Sequence, residues 1–208
     1  MNEEKTRVYF ERSKSSPINL SLDLLVSDGI IPSDPFFQII PHATGRLKSL
    51  FVKGPSEDVE VVTSHLSHPA PLLEHLSIRS DPPRAQDRDP ILPSALFNGD
   101  LSSLRVLHLE SIHTELPWRN MVNLTSFTLS DVPGGVPVGQ LLDFFGSAPH
   151  LKVIELYYPI AIPAAGAQNR RVVALECLKR MRIKDDDPPS ILLDHLLIPV
   201  GAKLEIEA

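Results

Sequence analysis

One six-residue pattern, apolar-x-x-apolar-x-apolar, recurs along this chain and narrows what it can fold into more than any other feature. It reads Leu47-x-x-Leu50-x-Val52, Leu73-x-x-Leu76-x-Ile78, Leu104-x-x-Leu107-x-Leu109, Leu124-x-x-Phe127-x-Leu129, Leu151-x-x-Ile154-x-Leu156 and Leu178-x-x-Met181-x-Ile183. Weaker copies open and close the series, Pro17-x-x-Leu20-x-Leu22 and Gly201-x-x-Leu204-x-Ile206. Successive starts lie 30, 26, 31, 20, 27, 27 and 23 residues apart. The second half of each copy alternates apolar and polar residues, as a strand with one buried face must. No single copy can hide that face alone, but stacked copies bury a continuous core. Intervals of this length leave room for a crossover, so the strands should pair in parallel, with right-handed connections.

Leucine-rich repeats carry the same Leu-x-x-Leu-x-Leu core at periods of about 20–29 residues. The expected fold is therefore α/β, a leucine-rich-repeat-like right-handed solenoid. A curved parallel β-sheet would line its concave side, with short helices and turns on the convex side. The plain alternative is an ordinary α/β domain with a parallel sheet. Residues 1–16 read as an N-terminal cap helix or linker, and 17–208 as one domain of about eight irregular repeats. Return helices are expected after Asp34-Pro35, after Ser56-Glu57-Asp58, over Gln140–Phe145 up to Gly146, and over Ile191–Leu197 before Pro199, with a shorter turn at Leu96-Phe97. Ser80–Pro90, Val132–Pro137 and Pro159–Asn169 read as surface loops from their Pro, Gly and charge content.

Composition removes several function classes. The 208 residues carry a net charge of −6, whereas nucleic-acid binders are usually strongly basic. No apolar run is long enough to span a membrane, and the acidic, polar Met1–Lys5 segment is not a signal peptide. The single cysteine, Cys177, can form no intrachain disulfide, so a reducing compartment, cytoplasmic or nuclear, is expected; the chain is also expected to be a monomer. No Gly-rich phosphate loop or Gly-x-Ser-x-Gly elbow is present, and Gly134-Gly135 reads as a turn. His65, His68 and His75 could suggest zinc, but structural zinc sites usually add cysteines. Asp185-Asp186-Asp187 lacks the alternating spacing of a calcium loop and reads as a solvated loop. Cys177 reads as a structural thiol and Trp118 as packing at the end of a repeat. The expectation is a non-enzyme with no cofactor and no metal, a hydrolase being the remote alternative.

Several stretches, in order, resemble the F-box/leucine-rich-repeat proteins that are numerous in mushroom-forming fungi. They are Tyr9-Phe10-Glu11-Arg12-Ser13-Lys14-Ser15-Ser16-Pro17-Ile18, His68-Pro69-Ala70-Pro71-Leu72-Leu73-Glu74, Leu116-Pro117-Trp118, Gln140-Leu141-Leu142-Asp143-Phe144 with Ala148-Pro149-His150-Leu151, and Leu197-Ile198-Pro199-Val200-Gly201-Ala202-Lys203-Leu204. The resemblance covers residues 8 to 206. It implies the substrate-recognition region of an F-box-type ubiquitin-ligase receptor, with a repeat-only binding scaffold as the alternative. In that family the F-box lies upstream and docks on the ligase adaptor. No F-box-like stretch precedes Arg7, so the adaptor is a partner only where an F-box exists upstream. The partner otherwise expected is a protein target of unknown identity.

In such a sheet, the residues that alternate with the buried ones face a partner. The middle open row reads Ser21, Phe51, Ser77, His108, Thr128, Glu155, Arg182 and Glu205. The row before it runs from Asn19, Ser49 and His75 to Arg180 and Lys203, and the row after it from Asp23, Lys53 and Arg79 to Tyr157, Lys184 and Glu207. Candidate protein-binding residues on the concave face are Phe51, His75, His108, Tyr157, Arg180, Arg182, Lys184 and Lys203. Row by row, Arg182 should pair with Glu155 and Glu205, and Lys184 with Glu207. Arg180, between Val153 and Lys203, is expected to have no acidic neighbour.

Overall fold

Eight strands of a computed structural model hydrogen-bond side by side in the order in which the chain makes them. The structure describes residues 8, 12–24, 43–81, 90–93, 96–115, 121–158, 171–185 and 190–207. The strands are β1 (Ile18–Asp23), β2 (Leu47–Gly54), β3 (His75–Ser80), β4 (Val106–Glu110), β5 (Ser126–Ser130), β6 (Val153–Tyr157), β8 (Arg180–Lys184) and β10 (Lys203–Glu207). Every pairing is parallel, and the sheet stays open, with β1 at one edge and β10 at the other. Two further short strands, β7 (Val173–Ala174) and β9 (Leu196–Leu197), pair separately in parallel. The molecule is thus an α/β protein with an eight-stranded parallel sheet and few helices.

The register matches the recurring pattern residue for residue. Leu20, Leu50, Leu76, Leu107, Phe127, Ile154, Met181 and Leu204 are Cα partners across the sheet. Leu22, Val52, Ile78, Leu109, Leu129, Leu156, Ile183 and Ile206 form the second apolar row. From β2 to β8 both rows are completely buried. The leading leucines, Leu73, Leu104, Leu124, Leu151 and Leu178, form a third buried line at the strand entries.

Each of these leucines closes a tight turn that the six-residue pattern does not include. The amide of Leu73 donates to the carbonyl of Ala70, Leu104 to Leu101, Leu124 to Met121, Leu151 to Ala148 and Leu178 to Leu175, at 3.0–3.2 Å. The acceptor residues are themselves buried, so the working unit starts three residues earlier. An interior turn of this kind must satisfy its backbone groups internally, and these bonds do so.

The strand exits also repeat. Ser111, Asp131 and Tyr158, each the residue just after a strand, have φ of 54°, 51° and 49°. Their amides reach the last carbonyl of the next strand, Ser130, Tyr157 and Lys184, at 2.9, 2.8 and 2.7 Å. The left-handed backbone turns each amide back into the ladder, a conformation that costs an L-residue roughly 1–2 kcal/mol. Gly54, at the end of β2, answers a different need. A Cβ there would lie 2.5 Å from the Cβ of Leu24, so the backbone can pass only without one.

Helices cover the buried side. Helix α1 (Ser56–Ser64) packs Val59 and Val62 against β2 and β3. Helix α2 (Val138–Ser147) sends Phe144 and Phe145 onto Phe127, with ring centroids 4.4 and 6.3 Å away. Such aromatic contacts add about 0.5–1.5 kcal/mol beyond burial. Both helices begin directly after a proline, Pro55 and Pro137, and the second starts two residues before the expected Gln140. Gly134 and Gly135, both at positive φ, form the turn expected between β5 and α2. Leu96–Gly99 forms the expected short turn, with Phe97 and Asn98 in the left-handed region at φ 53° and 56°.

Three expectations are corrected. The helix expected over Ile191–Leu197 is the four-residue α3 (Ser190–Leu193). Leu196–Leu197 instead becomes β9, because Val173 and Leu175 donate their amides to the carbonyls of His195 and Leu197. Asp185 is not solvated but buried. The apolar residues of the final copy, Leu204 and Ile206, are 43% and 49% exposed, because among the described residues no strand pairs with β10 on its far side. The expected helix after Asp34-Pro35, most of the 80–90 and 159–169 loops, and Trp118 lie outside the described residues. Of the expected 1–16 cap or linker, only Val8 and residues 12–16 are described.

Two substitutions test this arrangement. Leu107→Ala, at the centre of a fully buried row, should lose about 2–5 kcal/mol in urea unfolding. Asp131→Gly should gain about 1 kcal/mol, because it relieves the left-handed backbone. It also removes a carboxylate whose pKa is pushed up by desolvation and by Glu110. An Asp131→Gly variant less stable than the parent would contradict the strand-exit account.

Candidate functional site

The open face of the sheet carries two linked groups of side chains. The first spans β2 to β4. Arg79 lies over the Phe51 ring, 5.8 Å from its centroid. The Arg79 Nη2 is 3.3 Å from His108 Nδ1, and its Nε is 3.3 Å from Glu110 Oε2. His108 Nε2 lies 3.5 Å from the same carboxylate oxygen. A guanidinium can only donate, so His108 Nδ1 must accept, and the proton sits on Nε2, facing Glu110. Burial, and then the Arg79 charge, hold the His108 pKa below its ordinary 6.5, while Glu110 and Glu155 pull the other way. The neutral ring is the form that this cluster favours.

The second group spans β6 to β10 and is a chain of ion pairs. Arg180 Nη2 meets Glu155 Oε1 at 2.9 Å. Arg182 Nη2 meets Glu207 Oε1 at 2.6 Å, and its Nε is 3.8 Å from Glu205. Lys203 Nζ meets Glu205 Oε1 at 2.5 Å. The hydrogen bond from Arg182 to Glu207 raises the Arg182 pKa, and that from Lys203 to Glu205 lowers the Glu205 pKa. Arg182 also stacks over Tyr157, and Lys184 over Tyr158, each 5.8 Å from the ring centroid.

The row-by-row pairing holds for Arg182 with Glu205, at 3.8 Å, and fails for Arg180 and Lys184. Arg180 has an acidic partner, Glu155, one row away on β6. Glu207 serves Arg182 rather than Lys184. Long side chains reach the diagonal neighbour on the next strand, about 7–8 Å away between backbones, as readily as the one directly opposite. Counting charges within rows could not reveal this.

Of the eight candidate residues, the structure therefore places Phe51 and His108 in the first group. Arg180, Arg182, Lys203 and Tyr157 fall in the second, and Lys184 sits beside it on Tyr158. His75 stands apart, exposed, with Ser49 and Val106 as its strand neighbours. Sequence reasoning left out Arg79, Glu110 and Glu155, which hold the groups together. The signal was present: Arg79 and Glu110 are neighbours in one row, and Glu155 is central in another.

Other polar features are local. His65 Nδ1 is 2.8 Å from the Val61 carbonyl, and the Cys177 sulfur is 4.0 Å from His150 Nδ1. Among the described residues, no three His, Cys, Asp or Glu side chains converge as a metal site would require. Among the same residues, no helix is long and apolar enough to cross a membrane. No family model matches the chain, and neither a curated protein nor a solved structure does.

The His108 environment gives a pH prediction. A lowered folded-state pKa contributes stability that is complete above the unfolded value and is lost as pH falls toward the folded one. Stability should therefore drop as pH falls through and below the ordinary histidine value of 6.5, and His108→Asn should reduce that drop. An unchanged drop in the variant would contradict the placement of His108. Arg180→Glu should destabilise by less than about 1 kcal/mol, since the pair is half exposed and screened. Its charge reversal should be rescued in part by Glu155→Arg.

Proposed function

We propose that the chain is a protein-interaction module whose open sheet face binds a polypeptide partner. We read its fold more finely as a leucine-rich-repeat-like solenoid. The observation that carries the reading is the register. Consecutive strands deliver three side-chain rows to one face, and those rows join into charged and aromatic groups over the breadth of the sheet. Strictly sequential strand order favours a solenoid, since doubly wound sheets reverse their order at a switch point where ligands bind. Arginine and aromatic side chains held half-buried on a rigid sheet are the residue types that dominate binding energy at protein interfaces.

The resemblance to F-box/leucine-rich-repeat proteins extends this to substrate recognition for a ubiquitin ligase. The coding sequence upstream of Met1 tests that extension: an in-frame F-box supports it, and a stop codon leaves a binding scaffold with no ligase link. The binding face is tested by affinity capture from the source cells. Phe51→Ala with Arg79→Ala should remove a specifically captured protein while leaving the melting temperature within a few degrees. Loss of capture through Glu60→Lys and Asp143→Lys on α1 and α2 instead, with the face variants silent, would place binding on the helix side and overturn the reading.

A further inference from the structure

The two edges of the sheet differ. On β1, Leu22 is buried and Leu20 is partly buried, whereas on β10 both apolar residues, Leu204 and Ile206, are about half exposed. They continue two rows that are otherwise fully buried, so the core ends in an uncovered apolar step. Among the described residues, the backbone of β10 is also open on one side. The Lys203 amide donates to Lys179, and the Glu207 carbonyl accepts from Asp185. In a strand these groups alternate in direction, so Lys203, Glu205 and Glu207 turn toward β8, and Leu204 and Ile206 present their amides and carbonyls to the free edge. An edge of this kind is a template for another strand.

We infer that a second copy of this chain occupies that edge, its β10 pairing antiparallel with the first about a two-fold axis at Glu205. Lys203-Leu204-Glu205-Ile206-Glu207 is self-complementary in this register. Leu204 lies opposite Ile206 of the other copy, and the two exchange both of their free backbone hydrogen bonds. The same holds for Ile206 and Leu204, so all four edge groups on each strand are satisfied. The axis is perpendicular to the sheet, which puts Leu204 and Ile206 of both copies on the buried side. On the open side, Lys203 faces Glu207 of the other copy at both ends. Glu205 faces its own equivalent, and each already has Lys203 and Arg182 as counter-charges. Shifting the axis to Ile206 would oppose Glu205 to Glu207, and shifting it to Leu204 would pair Lys203 with Glu205 but leave Ile206 facing Ala202 and Glu207 without a cation. The pairing joins two eight-stranded sheets edge to edge and merges their open faces, with the β6–β10 ion-pair groups flanking the axis. It replaces the expected monomer, and it stands or falls independently of the binding reading above.

The test is the association state of the full chain, measured by sedimentation across a micromolar concentration series. The wild type should show a monomer–dimer equilibrium. Lys203→Glu and Glu207→Lys, taken singly, place like charges opposite each other twice in each interface. Each should weaken the dimer by about tenfold or more at low salt. Mixing the two variants, or joining them in one chain, restores opposite charges at both positions and should recover wild-type association. Amide exchange at Leu204 and Ile206 should slow as wild-type concentration rises, a readout that needs no variant to fold. A chain that stays monomeric throughout overturns the proposal. So do single variants that associate like the wild type, a mixture that fails to recover, or an edge that pairs only with an extended segment of a different protein.

Discussion

The structure depends on two apolar rows that run across the sheet without a slip from Leu50 and Val52 to Met181 and Ile183. Strand side chains alternate with a period of two, so a shift of one residue at any strand would expose its leucines and bury its charges. Each strand is too short to specify its place through backbone bonding alone. Burial specifies it, because only one alignment puts every row inside. The open face inherits its order from the same constraint. Arg79 meets His108 and Glu110, and Arg182 meets Glu207, because the buried residues between them leave no other register.

The turns and exits hold the rows in step. The bond from each leading leucine back to the residue three before it sets where each strand begins. The left-handed residues Ser111, Asp131 and Tyr158 set where three of them end. Between these two fixed points the return segments vary in length and kind. Helix α2 covers β5 with phenylalanines, while elsewhere the return is a short turn such as Leu96–Gly99. Spacings from 20 to 31 residues are compatible with one regular sheet because the irregularity is confined to the side that the rows do not need.

This division explains what could be read from the sequence. Alternation within a strand is a local property, so all eight strands of the large sheet and their register were legible. Helices α1 and α2 were legible too, one from Ser56-Glu57-Asp58 ahead of spaced apolar residues and the other from the apolar run that ends at Gly146. The β7–β9 pair was not. Ile191–Leu197 has the apolar spacing of a helix, and only the nearness of Val173–Ala174, some twenty residues away, draws Leu196–Leu197 into an extended pair. Burial of Asp185 was equally hidden, since a run of three aspartates carries no sign of what packs beside its first member. On the open face, row membership was legible, and so were the pairs within a row such as Arg182 with Glu205, but the diagonal pairs were not. The alternation rule states which way a side chain points, whereas the reach of an arginine spans more than one row.

The ion pairs of β6, β8 and β10 carry this reasoning one step further. A cation count alone would make the corner around Arg180, Arg182, Lys184 and Lys203 a basic patch suited to an acidic partner. The structure sets Glu155, Glu205 and Glu207 against three of the four, leaving an excess of one positive charge (four cations less three carboxylates). A partner would have to displace those carboxylates, and the exposed pairs resist by less than about 1 kcal/mol each. What such a lattice of alternating charge offers is discrimination rather than attraction. A partner with its own charges in the matching diagonal pattern exchanges pairs at little cost, and one with uniform charge meets repulsion at every second position. The first group works differently. Around Phe51, Arg79 and His108 the polar atoms are turned inward to one another and a ring face is held beneath a guanidinium, so contact there is made by flat, weakly hydrated surfaces. On the proposed binding reading, affinity would belong to the β2–β4 group and selectivity to the β6–β10 group, and the shared register of the sheet would fix how far apart a partner must carry its two complements.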